Sequence, residues 1–189
     1  MFLEQDDDPE RGYTLVELIV YSSLLIIVVA VVAGLFVSGL TATERVQTVT
    51  AATTSGQVVA DSIETNVRNS TDFLLTTPAG TDQFLVARTV NRDSTLSWHC
   101  VAWYYSAAGN GSIYSKRSSV AILLPTPIEL QDWTLVQEGI APVAGTNIFS
   151  ASGQQLTVNF ASLAGDHPSV VISSSATSRA GASGGLTCF

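Results

Sequence analysis

An uncharged apolar run near the N-terminus constrains this chain more than any other feature of its sequence. Residues 18–37 are 20 consecutive positions without a formal charge. As an α-helix they would extend about 30 Å, because each residue adds about 1.5 Å, and this matches the hydrocarbon core of a bilayer. The later apolar stretch 120–124 is short and is followed by Pro125, so we interpret it as a strand of a soluble domain. We therefore predict that the chain crosses a membrane at most once.

Glu17 immediately precedes this run. An ionised carboxylate near the hydrocarbon costs about 2.5 to 3.5 kcal/mol on insertion scales, so such a residue usually has a partner. A secretory signal would have a basic head, a shorter apolar core and a small-residue cleavage site after that core. Here the first 12 residues, MFLEQDDDPERG, contain five acids and one Arg. The segment therefore fits a cleaved secretory signal poorly.

Gly12 is followed by YTLVEL and then by the apolar run, and this combination resembles the class III signal of type IV pilins and pseudopilins. The resemblance implies that a membrane-embedded prepilin peptidase cuts after Gly12 on the cytoplasmic side and methylates the new N-terminus at Tyr13. Glu17 then becomes the fifth residue of the mature chain, and the helix is retained. Two features depart from the family pattern: the first mature residue is Tyr where Phe is most frequent, and the leader is acidic where many members have a basic one.

The resemblance also implies a role for Glu17. After cleavage Tyr13 carries an α-amino group, and the carboxylate four residues later can pair with that amine in its own chain or in a neighbouring one. Inside a bundle of helices an unpaired Glu17 would be expensive and a paired one would not, so the charge would set the axial offset of an incoming subunit. The implied partners are prepilin peptidase, other pilin subunits through their N-terminal helices, the membrane before assembly and the pilus assembly platform.

Apolar residues continue beyond the run at intervals of three and four, while the opposite face carries Thr, Gln, Ser and charges. The members of this stripe are Val46, Val49, Ala52, Gly56, Val59, Ile63 and Val67. The spacing predicts an amphipathic continuation of the helix to about Asn69, which leaves the bilayer and packs on a domain.

Gly34 is the twenty-second residue of the implied mature chain, where many pilins have a helix-breaking Pro. Glycine is about 1 kcal/mol less favourable than alanine in a helix interior. We expect Gly34, with Gly39 beyond it, to mark where the helix loosens during filament assembly. The alternative is a small residue that allows close helix packing in a membrane.

Beyond Asn69 short apolar runs alternate with turns, which indicates a β-rich domain. The segments WHCVAWYY (98–105) and SIYSKR (112–117) flank AAGNG and predict a hairpin. Further strands are expected at 133–136, 156–163 and 169–173. In LTVNFASL apolar and more polar residues alternate, so one sheet face should be buried and receive the helix stripe. The predicted fold class is α+β, with a long N-terminal helix packed on an antiparallel sheet.

Three segments are similar, loosely and patchily, to minor pilins and minor pseudopilins of the W and J type. They are the helix ending SIETNVRNS, the tyrosine-rich strand followed by IYSKR, and LVQEGIAPV leading to a strand pair and a late Arg179. The resulting organisation is a cleaved leader at 1–12, a transmembrane and filament-core helix at 13–40, its amphipathic continuation at 41–69 and a head domain at 70–189. A flexible Ser/Gly-rich stretch is expected at 173–185 within the head.

Charge gives no indication of nucleic-acid binding. The formal net charge is −8, and removal of a leader with five acids and one Arg leaves −4. After Arg45 the basic residues are scattered, with only Lys116 and Arg117 adjacent, so the sequence has no basic patch.

Cys100 and Cys188 are the two cysteines of the chain. In an oxidising compartment they are most simply a disulfide, with two free thiols as the alternative. A closed loop of nearly 90 residues would stabilise the fold by about 4 to 5 kcal/mol in the chain-entropy model. Its role would be to hold the C-terminal tail.

Catalytic patterns are weak. The histidines are His99 and His167, with Asp166 beside the second, but the sequence has no Gly-x-Ser-x-Gly elbow and no His-Glu-x-x-His pair. Residues 165–168 are interpreted as a polar turn, and His99 beside Cys100 is weak evidence for a metal pair. We expect no enzyme activity, no metal and no cofactor.

The sequence thus leads to three functional hypotheses. The first is a minor pilin in a type IV pilus-like filament, held as a single-pass protein of the cytoplasmic (inner) membrane with its head outside, and later part of an extracellular or periplasmic filament. The second is a pseudopilin of a type II-like secretion or DNA-uptake machine, which would share every motif. The third is a single-pass surface binding protein that keeps its first 12 residues.

Overall fold

The computed structural model describes residues 14–78, 80–90, 97–179 and 187–189. Within these residues one long helix, α1 (Leu15–Arg68), precedes nine strands in two antiparallel sheets, so the α+β prediction is confirmed. The strands are β1 Ser70–Thr76, β2 Gln83–Val90, β3 Trp98–Ser106, β4 Ser112–Ser118, β5 Thr134–Glu138, β6 Ile140–Pro142, β7 Phe149–Ser152, β8 Gln155–Ala164 and β9 His167–Thr177. A 3-10 helix, Glu129–Asp132, precedes β5.

The chain divides into two compact units between Arg45 and Val46. In the first unit every large apolar side chain from Leu15 to Leu40 is at least 47% exposed. By length and composition, α1 is the one helix among the described residues that qualifies as a membrane span.

The serine and threonine hydroxyls of this apolar segment are satisfied inside the helix. Each donates to a backbone carbonyl three or four residues earlier: Ser22 to Ile19, Ser23 to Val20, Ser38 to Gly34 and Thr43 to Gly39. Because a bilayer core offers no water, this internal pairing lets polar side chains occupy an apolar environment.

The first sheet of the second unit has the strand order β1-β2-β3-β4-β5, with every neighbouring pair antiparallel. The predicted aromatic hairpin is confirmed as β3 and β4, with Ser106 opposite Ser112 at the closed end. Gly111 in its loop has a φ of 76°, and its carbonyl accepts the N–H groups of Gly139 and Ile140. The hairpin loop is thereby joined to the start of β6.

The second sheet is built around β8. Strand β9 pairs with β8 along most of the length of β8. On the other side of β8, β7 pairs with its first residues and β6 with its last residues. The expected strands 156–163 and 169–173 lie within β8 and β9. The turn between them consists of Gly165 and Asp166, and His167 already begins β9.

The helix stripe and both sheets contribute to one core. Ala52, Gly56, Val59, Ile63 and Val67 are buried as the spacing predicted, and the inward residues of both sheets complete the core. The inward residues of β8, Leu156, Val158 and Phe160, are also buried.

Two details of this core differ from the sequence prediction. Val46 was counted in the stripe but is 64% exposed in the structure. Gln83 was not singled out, yet its side-chain amide exchanges two hydrogen bonds of 2.9 Å with the backbone of Phe149, which ties β2 to β7 and so joins the two sheets.

One segment prediction is wrong, and a second differs from the structure in part. The run 120–124 is a loop and pairs with none of the described strands. Within it Ile122 alone is buried, and Leu123 is 78% exposed. The stretch 173–185 was expected to be flexible, but 173–177 belongs to β9 and pairs with β8. There Ala176 is buried and the Ser174 hydroxyl donates to Glu64 of α1, so small and hydroxyl side chains suit an ordered strand. Residues 180–185 lie outside the described residues.

Candidate functional site

The first turn of α1 is closed by Thr14. The Glu17 N–H donates to Thr14 Oγ1 at 3.3 Å, and the Leu18 N–H donates to the Thr14 carbonyl at 3.1 Å. Thr14 therefore acts as the N-cap, with Glu17 at the third helical position. This is the Thr-x-x-Glu pattern of a capping box, and YTLVE contains it as a local signal for the start of a helix.

The carboxylate of Glu17 has a partner in its own chain. The Tyr21 hydroxyl donates to Glu17 Oε1 at 2.9 Å from one turn further along the helix. Glu17 is half-buried, whereas its neighbours in the apolar segment are exposed. An acidic side chain in a first turn also interacts favourably with the helix dipole. A carboxylate has about four acceptor positions, so the phenol leaves capacity for a second donor.

The other residues predicted for processing and assembly are Gly12, Tyr13 and Gly34. Gly12 and Tyr13 lie outside the described residues, so cleavage and methylation stay predictions. Gly34 lies inside α1, which runs without interruption through this position. A Cβ at Gly34 would meet nothing within 4 Å, and its carbonyl accepts the Ser38 hydroxyl at 2.9 Å. Loosening at Gly34 during assembly also stays a prediction.

A disulfide joins Cys100 of β3 to Cys188 near the C-terminus, with a Cα–Cα distance of 5.4 Å. Both cysteines are buried in a second apolar cluster with Phe84, Val86, Ala102, Ile122 and Trp133. Since side chains alternate along β2 and β3, this cluster lies on the face of the first sheet opposite the helix. The Ile122 N–H donates to the Cys188 carbonyl at 3.3 Å, so the C-terminal residues hold the 120–124 loop.

Asp82 organises the aromatic hairpin. Its carboxylate accepts the Tyr104 hydroxyl at 2.7 Å and the Ala107 N–H at 2.8 Å. Burial, and then the hydrogen bond and the charge of Asp82, raise the pKa of Tyr104 to about 12. Burial and the same charge raise the pKa of Tyr105. Asp82 therefore fixes the hairpin through neutral tyrosines at ordinary pH.

The histidines take positions in the two sheets. His99 lies in β3 opposite Thr89, and His167 starts β9 opposite Ala164. In the part of the chain that the structure describes, no three His, Cys, Asp or Glu side chains group into a metal site.

Comparisons of the chain with protein-family models, with curated proteins and with solved structures found no match. Any functional conclusion therefore depends on the chain's own residues. The features that carry one are the YTLVE segment, the exposed apolar part of α1 and the disulfide-bonded head.

Proposed function

We propose that this chain is a structural subunit, a minor pilin, of a type IV pilus-like filament, processed after Gly12 and assembled through α1. The observation that carries the proposal is that one helix contains two successive segments that need different surroundings. Its segment from Leu15 to Leu40 leaves every large apolar side chain exposed, while its residues from Ala52 to Val67 contribute to the core of the head. Such an apolar segment requires lipid or other helices around it.

Glu17 gives the helix a means of alignment. In a filament the apolar segments would surround one another, and the carboxylate would pair with the methylated amine at Tyr13 of a neighbouring subunit. A charge pair buried among apolar helices favours one axial offset, because any other leaves a charge without a partner. Gly34 would supply local freedom in the same helix, since glycine is about 1 kcal/mol less favourable than alanine in a helix interior.

The head suits an oxidising compartment outside the cytoplasm. Disulfides persist in secreted and periplasmic proteins, and here one holds the C-terminal residues against the first sheet. The proposed location is thus the cytoplasmic (inner) membrane before assembly, with the head outside, and an extracellular or periplasmic filament afterwards. A secretion or DNA-uptake pseudopilus would use the same residues, and the phenotype of a deletion, lost filaments or lost secretion, separates the two.

The capping geometry favours a second candidate. Thr14 and Tyr21 already satisfy the first turn and Glu17 inside one chain, so a single-pass surface protein with an uncleaved anchor also explains Glu17. This candidate would be stable without neighbouring subunits.

Fractionation of sheared filaments distinguishes the proposed pilin from a single-pass surface protein with an uncleaved anchor. We expect the wild-type chain in the filament fraction, and in the membrane alone when prepilin peptidase is deleted. Glu17→Leu should be cleaved normally but reach filaments at least about tenfold less, because one broken buried charge pair is worth several kcal/mol. Val16→Leu, a change of apolar shape beside it, is the matched control. A chain that stays in the membrane of cells that make filaments would contradict the proposal.

A further inference from the structure

We infer that Tyr21 is a positioning residue for Glu17: in the membrane-stored subunit its phenol holds the carboxylate in a fixed orientation, ready for an amine donor. The hydrogen bond from Tyr21 to Glu17 Oε1 is 2.9 Å long. The consequence for assembly depends on the proposed function, whereas the hydrogen bond and its effect in the membrane do not.

Helix geometry explains why these two side chains meet. Residues four apart lie on one face, and helical side chains lean toward the N-terminus, so the Tyr21 phenol projects over the turn that carries Glu17. A hydroxyl that donates to a carboxylate makes a charge-assisted hydrogen bond, which is stronger than one between neutral groups.

The other hydroxyls near Glu17 are engaged differently. Ser22 donates to the Ile19 carbonyl at 3.0 Å, and Ser23 donates to the Val20 carbonyl at 2.8 Å. No Lys, Arg or His occurs between Glu17 and Arg45 in the sequence. Among the described residues, Tyr21 therefore supplies Glu17 with a side-chain hydrogen-bond donor from one turn away.

A phenol at position 21 can hold Glu17 without competing with an incoming amine. A Lys or Arg at this position would neutralise Glu17 and compete with an incoming amine for the charge. The Tyr21 hydroxyl lowers the cost of the carboxylate in an apolar environment but leaves its negative charge in place. Since the carboxylate keeps further acceptor positions, an amine can bind without first displacing Tyr21.

Solid-state NMR of the full chain in lipid nanodiscs, with tyrosine labelled at ¹³Cζ, tests the contact itself. The Tyr21 resonance is assigned by its loss in Tyr21→Phe. We expect it to shift in Glu17→Leu, which removes the acceptor, and to stay in place in Ser23→Ala, which removes a hydroxyl that does not contact Glu17. An unmoved Tyr21 resonance in Glu17→Leu would overturn the inference.

The amount of full-length protein in the membrane, measured in cells without the assembly platform, tests the consequence. Tyr21→Phe should lower this amount about threefold, a ratio in the range of one hydrogen bond. In the Glu17→Leu background the same change should have no effect, because no carboxylate remains to be held. An equal loss in both backgrounds would show that Tyr21 acts through packing, and no loss in either would show that it does not hold Glu17; both results overturn the inference. Both readouts precede assembly, so they are independent of whether the chain enters a filament.

Discussion

Burial and the carboxylate of Asp82 together hold the phenol proton of Tyr104 and make the stability of the head sensitive to alkaline pH. The pKa of Tyr104 is raised from 10.0 to about 12, so the folded state keeps its phenol proton more firmly than the unfolded state does. The stabilising contribution is therefore complete below about pH 10 and is lost as the pH rises toward 12.

Tyr104→Phe should remove this dependence. We expect the free energy of unfolding of the wild type to fall more steeply between pH 10 and 12 than that of the variant, measured by urea denaturation of the full chain in detergent. Below pH 10 the variant should be less stable by about 1 kcal/mol, the value of a lost hydrogen bond. Asp82→Asn is the companion variant, because it removes the charge that Tyr104 contacts. Parallel pH profiles for wild type and Tyr104→Phe would refute this account.

At Gly56 the helix backbone approaches the second sheet closely. A Cβ at this position would lie 2.1 Å from Ile172 Cδ1 and 3.3 Å from Phe160 Cε2 and Ser162 Cβ. Overpacking of a core costs about 1 to 3 kcal/mol, and this exceeds or offsets the roughly 1 kcal/mol gained from the helix propensity of alanine.

A double-mutant cycle isolates the clash. Gly56→Ala should be unfavourable in the wild type but less so, by at least about 1 kcal/mol, when Ile172→Ala has removed the opposing methyl group. Thermal or urea unfolding of the four proteins measures the coupling. Gly34→Ala, which meets no neighbour, should leave the unfolding of the head unchanged. Strict additivity of Gly56→Ala and Ile172→Ala would show that the close approach has no energetic consequence.

Residue by residue, the sequence was informative where chemistry is local. The spacing of the stripe predicted Gly56 and Val67 as core positions, because helical periodicity depends on neighbours in the chain. The sequence does not identify Gln83 as a core residue, because its two hydrogen-bond partners are backbone atoms of Phe149, far along the chain. Tyr21 was overlooked for a different reason: within an apolar run its ring has the expected character, and only the structure shows where its hydroxyl points.

At the scale of elements, the C-terminal residues and the 120–124 loop form one unit through the disulfide. We expect the double variant Cys100→Ala and Cys188→Ala to lose about 4 kcal/mol of stability, close to the chain-entropy value for a loop of this size. Trp133, buried beside Cys188, should become more exposed, with red-shifted fluorescence.

Two controls sharpen this prediction. Leu123→Ser changes an exposed residue of the same loop and should cost little, because that side chain is 78% exposed. Ile122→Ala should cost about 2 to 5 kcal/mol, as for other buried large-to-small changes. Full stability and unshifted fluorescence of the double cysteine variant would mean that the tail is held without the bond.

Gly34 allows a test of helix flexibility without a steric change. A Cβ fits there freely, so Gly34→Ala alters mainly the backbone preference, by about 1 kcal/mol toward helix. If the helix loosens at this point during assembly, the variant should enter filaments several-fold less than wild type, as measured by quantitative immunoblots of sheared fractions. Val37→Ala, a truncation in the same segment, is the control. Normal incorporation and unchanged local order in the filament would count against loosening at Gly34.

The elements differ in how much of them the sequence reveals. Strand β8 was predicted by its alternation, whereas β2 was not, because Gln83 to Ala87 are all buried. Side chains of β2 enter the main core on one face of the sheet and the disulfide cluster on the other. Both faces are therefore apolar, and the strand shows no alternation of apolar and polar residues. Strands β6 and β7 have three and four residues, too few for a pattern. The 120–124 run has a strand-like composition, but in the structure it is a loop in which Ile122 is the one buried side chain.

On the scale of the whole molecule, the chain combines two units with opposite requirements. The first exposes an apolar helix surface that suits lipid or other helices, and the second encloses its own core and a disulfide. Glu17 and Tyr21 lie at the beginning of the first unit, directly after the proposed cleavage site. A subunit that waits in a membrane and later packs its helix among others would use all of these features.

The N-terminal residue and intact mass of the protein, isolated from its native membrane or from sheared filaments, test this account most directly. The account predicts a mature chain that begins with N-methylated Tyr13 and lacks the first 12 residues. A chain that still begins at Met1, in cells with active prepilin peptidase, would contradict it and leave an anchored surface protein whose Glu17 serves only its own helix.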